Sequence, residues 1–194
     1  ISILLAFLVL KNFNQNILIN TILISSALYL FFITLREFFL KKYKNISQNI
    51  AHFGFSLLIL SILFNNLFAR EIITNLKVGE TFENSKTKIV FENVDQKKEQ
   101  NYNTIIANFS ISNFNGEEEK FSPELRIYNQ PVIATSEADI KTTLMSDKFI
   151  VINLVQNQDF FNIRYQIKPF MLWIWLSVIL ISFGGIVSFL QKRS

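Results

Sequence analysis

The sequence predicts a membrane protein of α-helical spans, three full and one truncated, with an inserted β-rich extracytoplasmic domain built as an antiparallel sandwich or small barrel. Three observations carry that expectation. Half of the 194 residues are apolar and 21 are phenylalanine, more than a soluble domain of this size can bury. Three apolar runs reach about 20 residues, the length that crosses a hydrocarbon core of roughly 30 Å. Between the second and third of these lies a polar block whose apolar residues recur with a period of two.

The first ten residues, "ISILLAFLVL", are as apolar as a span but half as long, and they read as the tail of a truncated helix (1–10). No basic region precedes them and no small-residue cleavage site follows, which disfavours a signal peptide. On this expectation the chain is the C-terminal part of something longer. The first full span is "ILINTILISSALYLFFITL" (17–35), and a basic loop follows (36–48), with Arg36, Lys41, Lys42 and Lys44 against Glu37. The second span (49–69) contains "IAHFGFSLLILSILFNNLFA" and carries the single histidine, His52. The last span (168–190) is introduced by Lys168 and leads to a short tail (191–194) with Lys192 and Arg193. Basic short loops stay in the cytoplasm, so the loop 36–48 and the tail are expected inside and residues 70–167 outside. The formal charge of +4 hides a segregation that agrees with this: ten Lys/Arg against fourteen Asp/Glu make residues 71–167 −4, and the remainder is +8.

In the external block "FNIRYQI" (161–167) alternates Phe161, Ile163, Tyr165 and Ile167 with polar residues, the pattern of a strand with one buried face. "IIANFSISNF" ends at Asn115-Gly116, a pair suited to a hairpin turn because both residues accept positive φ. "TKIVFENV" adds another strand, and "DKFIVINLV" reads as a strand buried on both faces. Between Gly116 and Asp147 the periodicity fades, which predicts a long connection. With no cysteine, the domain has no disulfide and holds by packing alone.

The inventory of reactive side chains excludes several classes. There is no Gly-rich phosphate loop, no Ser/His/Asp set outside the spans and no cluster with metal-ligand spacing. Glu117-Glu118-Glu119 reads as a solvated loop, and the positive-inside rule accounts for the basic loop without nucleic acid. His52 is different, because ionisable groups within spans are costly and mostly face a bundle interior, a cofactor or a proton path. Ala51 and Gly54 beside it are small enough for a helix or a flat macrocycle to approach, and Phe55, Ser56 and Ile59 share its helical face. An interfacial histidine reaching the headgroups is the plainer reading, and the residue alone does not choose between the two.

The order of segments adds to this. "AHFG" in a span, a β-rich domain, "PELRIY", "SEADI", then "KPFMLWIWL" entering a span that carries "FGG" resembles the C-terminal end of CcmF, the membrane haem lyase component of cytochrome c maturation. The corresponding stretches in that family look like A-H-x-G, P-E-K-R-x-Y, T-E-A-A-I and K-P-F-x-R-W-I-W. Leu125, Ser136, Asp139 and Leu172 stand where that pattern has lysine, threonine, alanine and arginine. The resemblance covers roughly residues 45–190, and the family's tryptophan-rich haem-handling segment lies upstream of it.

The resemblance implies an enzyme component that attaches haem to apocytochrome c on the outer side of the bacterial inner membrane, through thioether bonds to a C-x-x-C-H site. It implies a separate b-type haem within the spans, ligated by two histidines, with His52 matching one ligand and the second lying upstream. Substrate haem, apocytochrome c, a haem chaperone and apocytochrome-presenting subunits are the implied partners, and residues 70–167 would lie in the periplasm. Glu124, Arg126, Tyr128, Glu137, Lys168, Trp173 and Trp175 match motif positions and are expected in partner-binding or structural roles, the two tryptophans as an interfacial belt. Proline at 169 suits the start of the last helix, and Gly184 with Ser188 forms a small face for packing. The alternative is a non-catalytic membrane-anchored scaffold whose β-domain docks partners, and it has no use for His52. A transporter with His52 in a proton path is disfavoured, since the spans offer the histidine no ionisable partner.

Overall fold

A computed structural model describes residues 2–3, 6, 17–40, 46–113, 116, 118–155 and 159–191. Most of the stretch 1–10 lies outside the described residues, as do Lys41, Lys42, Lys44, Asn115, Glu117, Lys192 and Arg193. Among the described residues are three long helices, α1 (Ile17–Phe39), α2 (Ile46–Phe68) and α3 (Met171–Gln191), each apolar and long enough to cross a membrane. Only a helix or a closed barrel satisfies its own backbone in lipid, and a 23-residue helix such as α1 or α2 is roughly 35 Å long. Hydroxyls inside the spans bond back to their own helices, as Thr34 Oγ1 does to the Leu30 carbonyl at 2.9 Å. Arg36 and Glu37, expected in the loop, lie in the last turns of α1, where a cation complements the negative end of the helix dipole.

The helices and the strands form separate compact units. In the helical unit Ile24, Ala27 and Leu28 of α1 pack with Leu60 of α2, and Thr34 Oγ1 meets Ser56 Oγ at 2.9 Å in a buried hydrogen bond between the two helices. Helices α2 and α3 meet through glycine. A Cβ on Gly184 would lie 2.8 Å from both the Ala51 nitrogen and the Ser47 carbonyl oxygen, so the helices touch backbone to backbone. At the far end of the same pair Asn65 Nδ2 donates to the Pro169 carbonyl at 2.5 Å.

The second unit, residues 69–142 and 147–168, is a β-sandwich. Among the described residues one sheet has four strands in the order β1-β10-β9-β8, from Arg70–Leu76, Phe161–Pro169, Ser146–Leu154 and Asp139–Thr142. The other runs β2-β3-β4-β6-β7, from Thr81–Glu83, Thr87–Lys98, Tyr102–Asn113, Glu124–Asn129 and Val132–Glu137, with β5 (Glu118–Phe121) also paired to β4. Inward residues of both sheets make one core that includes Phe91, Phe109, Phe121, Ile150, Ile152, Ile163 and Tyr165. Phe91 stacks on Phe109 at 4.5 Å, and Tyr165 meets Phe121 edge-on at 6.0 Å. The fold class read from the sequence stands, and of its two β alternatives the sandwich is the one formed.

Two strand expectations change. The stretch 118–146 is not a long connection: it holds β5 to β8, whose strands are short and mostly half-exposed. Edge strands and strands with one wet face hold by their backbone ladder and need little apolar alternation. Strand β9 is not buried on both faces, since Ile150 and Ile152 point into the core while Phe149 and Val151 line a groove on the outer face. The turn between β8 and β9, residues 143–146, belongs to the helical unit.

One ion pair joins the two sheets. Lys148 Nζ of β9 lies 2.5 Å from Glu119 Oε1 of β5, with side chains 14% and 24% exposed. Burial pushes the Tyr165 phenol well up from its ordinary range, with the Glu119 charge adding to the shift. Removing one partner of such a pair strands a charge, so Lys148→Ala is expected to cost about 3 kcal/mol, and Lys148→Met with Glu119→Leu to recover most of it. Thermal unfolding of the intact protein and both variants measures this.

Candidate functional site

His52 lies in the second turn of α2 and opens onto a groove of about 560 Å³ between α2 and α3. Ser47, Gln48 and Ala51 form one wall, and Gly184, Gly185, Ser188 and Gln191 form the other. These companions lie one, four and five residues before His52, whereas the sequence suggested Phe55, Ser56 and Ile59. The Cα–Cβ bond in a helix tilts toward the N-terminus, so a side chain shares its surroundings with the preceding turn. Ser56 instead is buried against α1, Ile59 packs with the α1 cluster, and Phe55 is exposed.

The two glycines of α3 act differently. Gly184 has no room for a Cβ, whereas one on Gly185 would meet no described atom within 4 Å. Gly184 closes the helix pair; Gly185 leaves one wall of the groove flat. The imidazole is exposed and has no hydrogen-bond partner among the described residues. Among those residues no group of three or more His, Cys, Asp or Glu could hold a metal ion by itself. A metal at His52 would therefore need its other ligands from a prosthetic group or from other segments, and the groove, with Gly185 opposite, has room for a flat group beside the imidazole.

A second constellation lies on the sandwich. The registers Glu124↔Glu137 and Tyr102↔Tyr128 bring four sequence-separated groups onto one face around Arg126. Arg126 Nη2 sits 2.9 Å from Glu124 Oε2 and Nη1 4.0 Å from Glu137 Oε1. Its guanidinium carbon lies 5.3 Å from the centre of the Tyr102 ring, which packs on Tyr128 at 5.2 Å. The bond to Glu124 raises the Arg126 pKa further. Tyr102 escaped the sequence reading, because only the β4–β6 register makes it a neighbour of Arg126. Lys168 Nζ lies 5.3 Å above the Phe149 ring, Trp173 Nε1 donates to the Leu144 carbonyl at 2.9 Å, and Trp175 is 63% exposed. His52 belongs to the helical unit and the arginine cluster to the sandwich.

Comparison with known proteins now bears on this arrangement. Residues 67–169 match the family model described as the CcmF C-terminal beta-sandwich. The chain belongs to that family. The cytochrome c-type biogenesis protein CcmF of Haemophilus influenzae is 26% identical over 165 residues, which are 82% of this chain and 26% of that protein. The cytochrome c-type biogenesis protein ccl1 of Rhodobacter capsulatus is 30% identical over 123 residues, 63% of this chain and 19% of that one. The solved structure of cytochrome c heme lyase CcmF superposes with a TM-score of 0.66 at 16% identity, covering 95% of this chain and 32% of that one, which is a likeness of fold. The chain spans about a quarter of the length of the curated CcmF relative from Haemophilus.

In this CcmF-family chain the glycine pair predicts opposite responses. Gly184→Ala is expected to push α2 and α3 apart at a cost of about 1–3 kcal/mol, as overpacking does. Gly185→Ala should leave thermal stability unchanged within about 1 kcal/mol, since alanine favours helix and finds open space. Melting curves of the two variants in detergent separate these outcomes.

A further prediction concerns the outer face of β1 and β10. Glu71 accepts hydrogen bonds from Gln166 and Arg164, and these hold its carboxyl below the ordinary 4.5. A carboxyl with a lowered folded pKa stabilises fully above its unfolded value and loses that contribution as pH falls through the folded one. Glu71→Gln should therefore destabilise at pH 7 and flatten the acid side of the stability profile below about pH 4.5, read by melting at successive pH values.

Proposed function

We propose that this chain is the C-terminal part of a CcmF-type haem lyase component of cytochrome c maturation in the bacterial inner membrane, and that His52 is an axial ligand of a b-type haem seated against α2 and α3. The observation that carries the reading is an imidazole without a partner among the described residues, opening on a groove whose opposite wall is glycine. A neutral imidazole offers one nitrogen lone pair, and Ala51 and Gly185 let a flat ring approach without displacing a side chain. Ser47, Gln48 and Ser188 bring polar groups to the same groove and can bond the polar rim of such a ring. When bound, this haem would supply one-electron transfer that keeps the iron of a substrate haem reduced. A second histidine to hold this haem, and the segment that would hold the substrate haem, would come from residues upstream.

Orientation follows from charge. Loop 36–48 and tail 191–194 would face the cytoplasm, with residues 70–167 in the periplasm, where apocytochrome c, a haem chaperone and apocytochrome-presenting subunits would meet the sandwich. Trp173 and Trp175 then fall at the outer membrane interface. Glu124, Glu137 and Tyr102 already occupy Arg126, so the cluster with Tyr128 serves first to hold that face in shape. Lys168 over Phe149 does the same at the end of β10, and the last helix starts only at Met171, with Pro169 closing the strand rather than opening the helix.

The test is a reduced-minus-oxidised visible spectrum of the intact protein, as wild type and as His52→Gly, with and without imidazole. The expected result is a b-type signal in wild type, lost in His52→Gly and restored by imidazole. An unchanged signal in the variant would remove His52 from the site, and a wild type without haem would leave a membrane-anchored scaffold.

A further inference from the structure

The turn between β8 and β9 is built against the expected grain of a water-exposed loop. Turns in water favour Gly, Asn, Asp and Ser, whereas this one places Leu144 and Met145 at its tip, 68% and 64% exposed. The tip is not loose. Thr143 N donates to the Ser146 carbonyl at 2.9 Å, and Ser146 N donates back to Thr143 Oγ1 at 3.0 Å. Both tip carbonyls are held by the start of α3: Phe170 N donates to Met145 O at 2.8 Å, and Trp173 Nε1 donates to Leu144 O at 2.9 Å.

These bonds fix the height of the tip. Met171 begins a helix apolar enough to span a bilayer, and Trp173 lies in its first turn, the level at which aromatic belts meet the headgroups. Indole N–H groups at that level usually bond water or lipid; here the bond goes to a loop, which draws its apolar tip to the same depth. Two exposed aliphatic side chains tied there have one medium that favours them, the glycerol and upper acyl region of the outer leaflet. We propose that the β8–β9 turn is a lipid anchor, with Leu144 and Met145 entering the outer leaflet beside the first turn of α3. The inference requires that α3 crosses the membrane, takes the name of the leaflet from the orientation proposed above, and is independent of haem at His52.

The chain has no cysteine, so a single one can be introduced cleanly. Leu144→Cys and Met145→Cys, in the intact protein with any cysteine outside this chain replaced by serine, are labelled with an environment-sensitive fluorophore and reconstituted into phosphatidylcholine and phosphatidylglycerol liposomes. Nitroxides at the headgroup and upper acyl chain quench from the lipid side, and iodide quenches from water. The expected result is a blue-shifted emission at both positions, quenched by the lipid nitroxides and shielded from iodide. Quenching by iodide and not by lipid would overturn the anchor, and so would protection from both, which would mean that protein covers the tip.

Discussion

Everything at the histidine depends on the approach of α2 and α3 at Gly184. The Ala51 nitrogen and Ser47 carbonyl oxygen occupy the space that any other side chain at 184 would need, so the two backbones are in contact. Lipid gives no hydrophobic drive to bring helices together, and close van der Waals contact over small residues supplies it instead. His52 follows Ala51 directly, and its distance from α3 is therefore set by that single contact. Gly54 repeats the arrangement nearly one turn further on, where a Cβ would lie 3.0 Å from Ile181 and Leu180 atoms. The groove is what remains beside a seam that cannot open or close by much.

The other end of the helix pair carries a different device. Strand β10 precedes α3 in the chain, and the turn between them belongs to the helical unit from Pro169 on. Phe170, between β10 and α3, has φ 61°, a left-handed conformation that costs a residue with a Cβ roughly 1–2 kcal/mol. Its N–H bonds Met145, and its ring packs on Phe64 at 5.5 Å, which offsets that strain. The chain can thereby turn from strand to helix within one residue. Asn65 closes the same corner by donating to the Pro169 carbonyl as the strand ends. Within the helical unit the seam at Gly184 is thus closed by packing, and the far end by the Asn65–Pro169 hydrogen bond and the Phe64–Phe170 contact.

How much of this was legible follows from which signal each part leaves. The spans and β10 declare themselves because burial on one face, or on all, writes a period into the residues. Strands β5 to β8 leave no such trace, since Glu118, Thr135 or Lys141 in an edge ladder is held by backbone bonds that any residue provides. That His52 stands out among the span residues could be read from its chemistry, but its neighbours could not be read from spacing alone. Helical spacing is symmetric about a residue and side-chain direction is not, so the true companions lay on the N-terminal side. Tyr102 and the Leu144–Trp173 bond join residues 24 and 29 positions from their partners, and nothing local marks them.

The two glycines show why one sequence signal can carry two physical meanings. "FGG" reads as a single small patch, yet turning by about 100° from one residue to the next sends 184 into the seam and 185 into the groove. A chain that needed only tight packing would gain helix propensity by placing alanine at 185. Glycine there forgoes that gain and leaves the wall of the groove opposite the imidazole without a side chain.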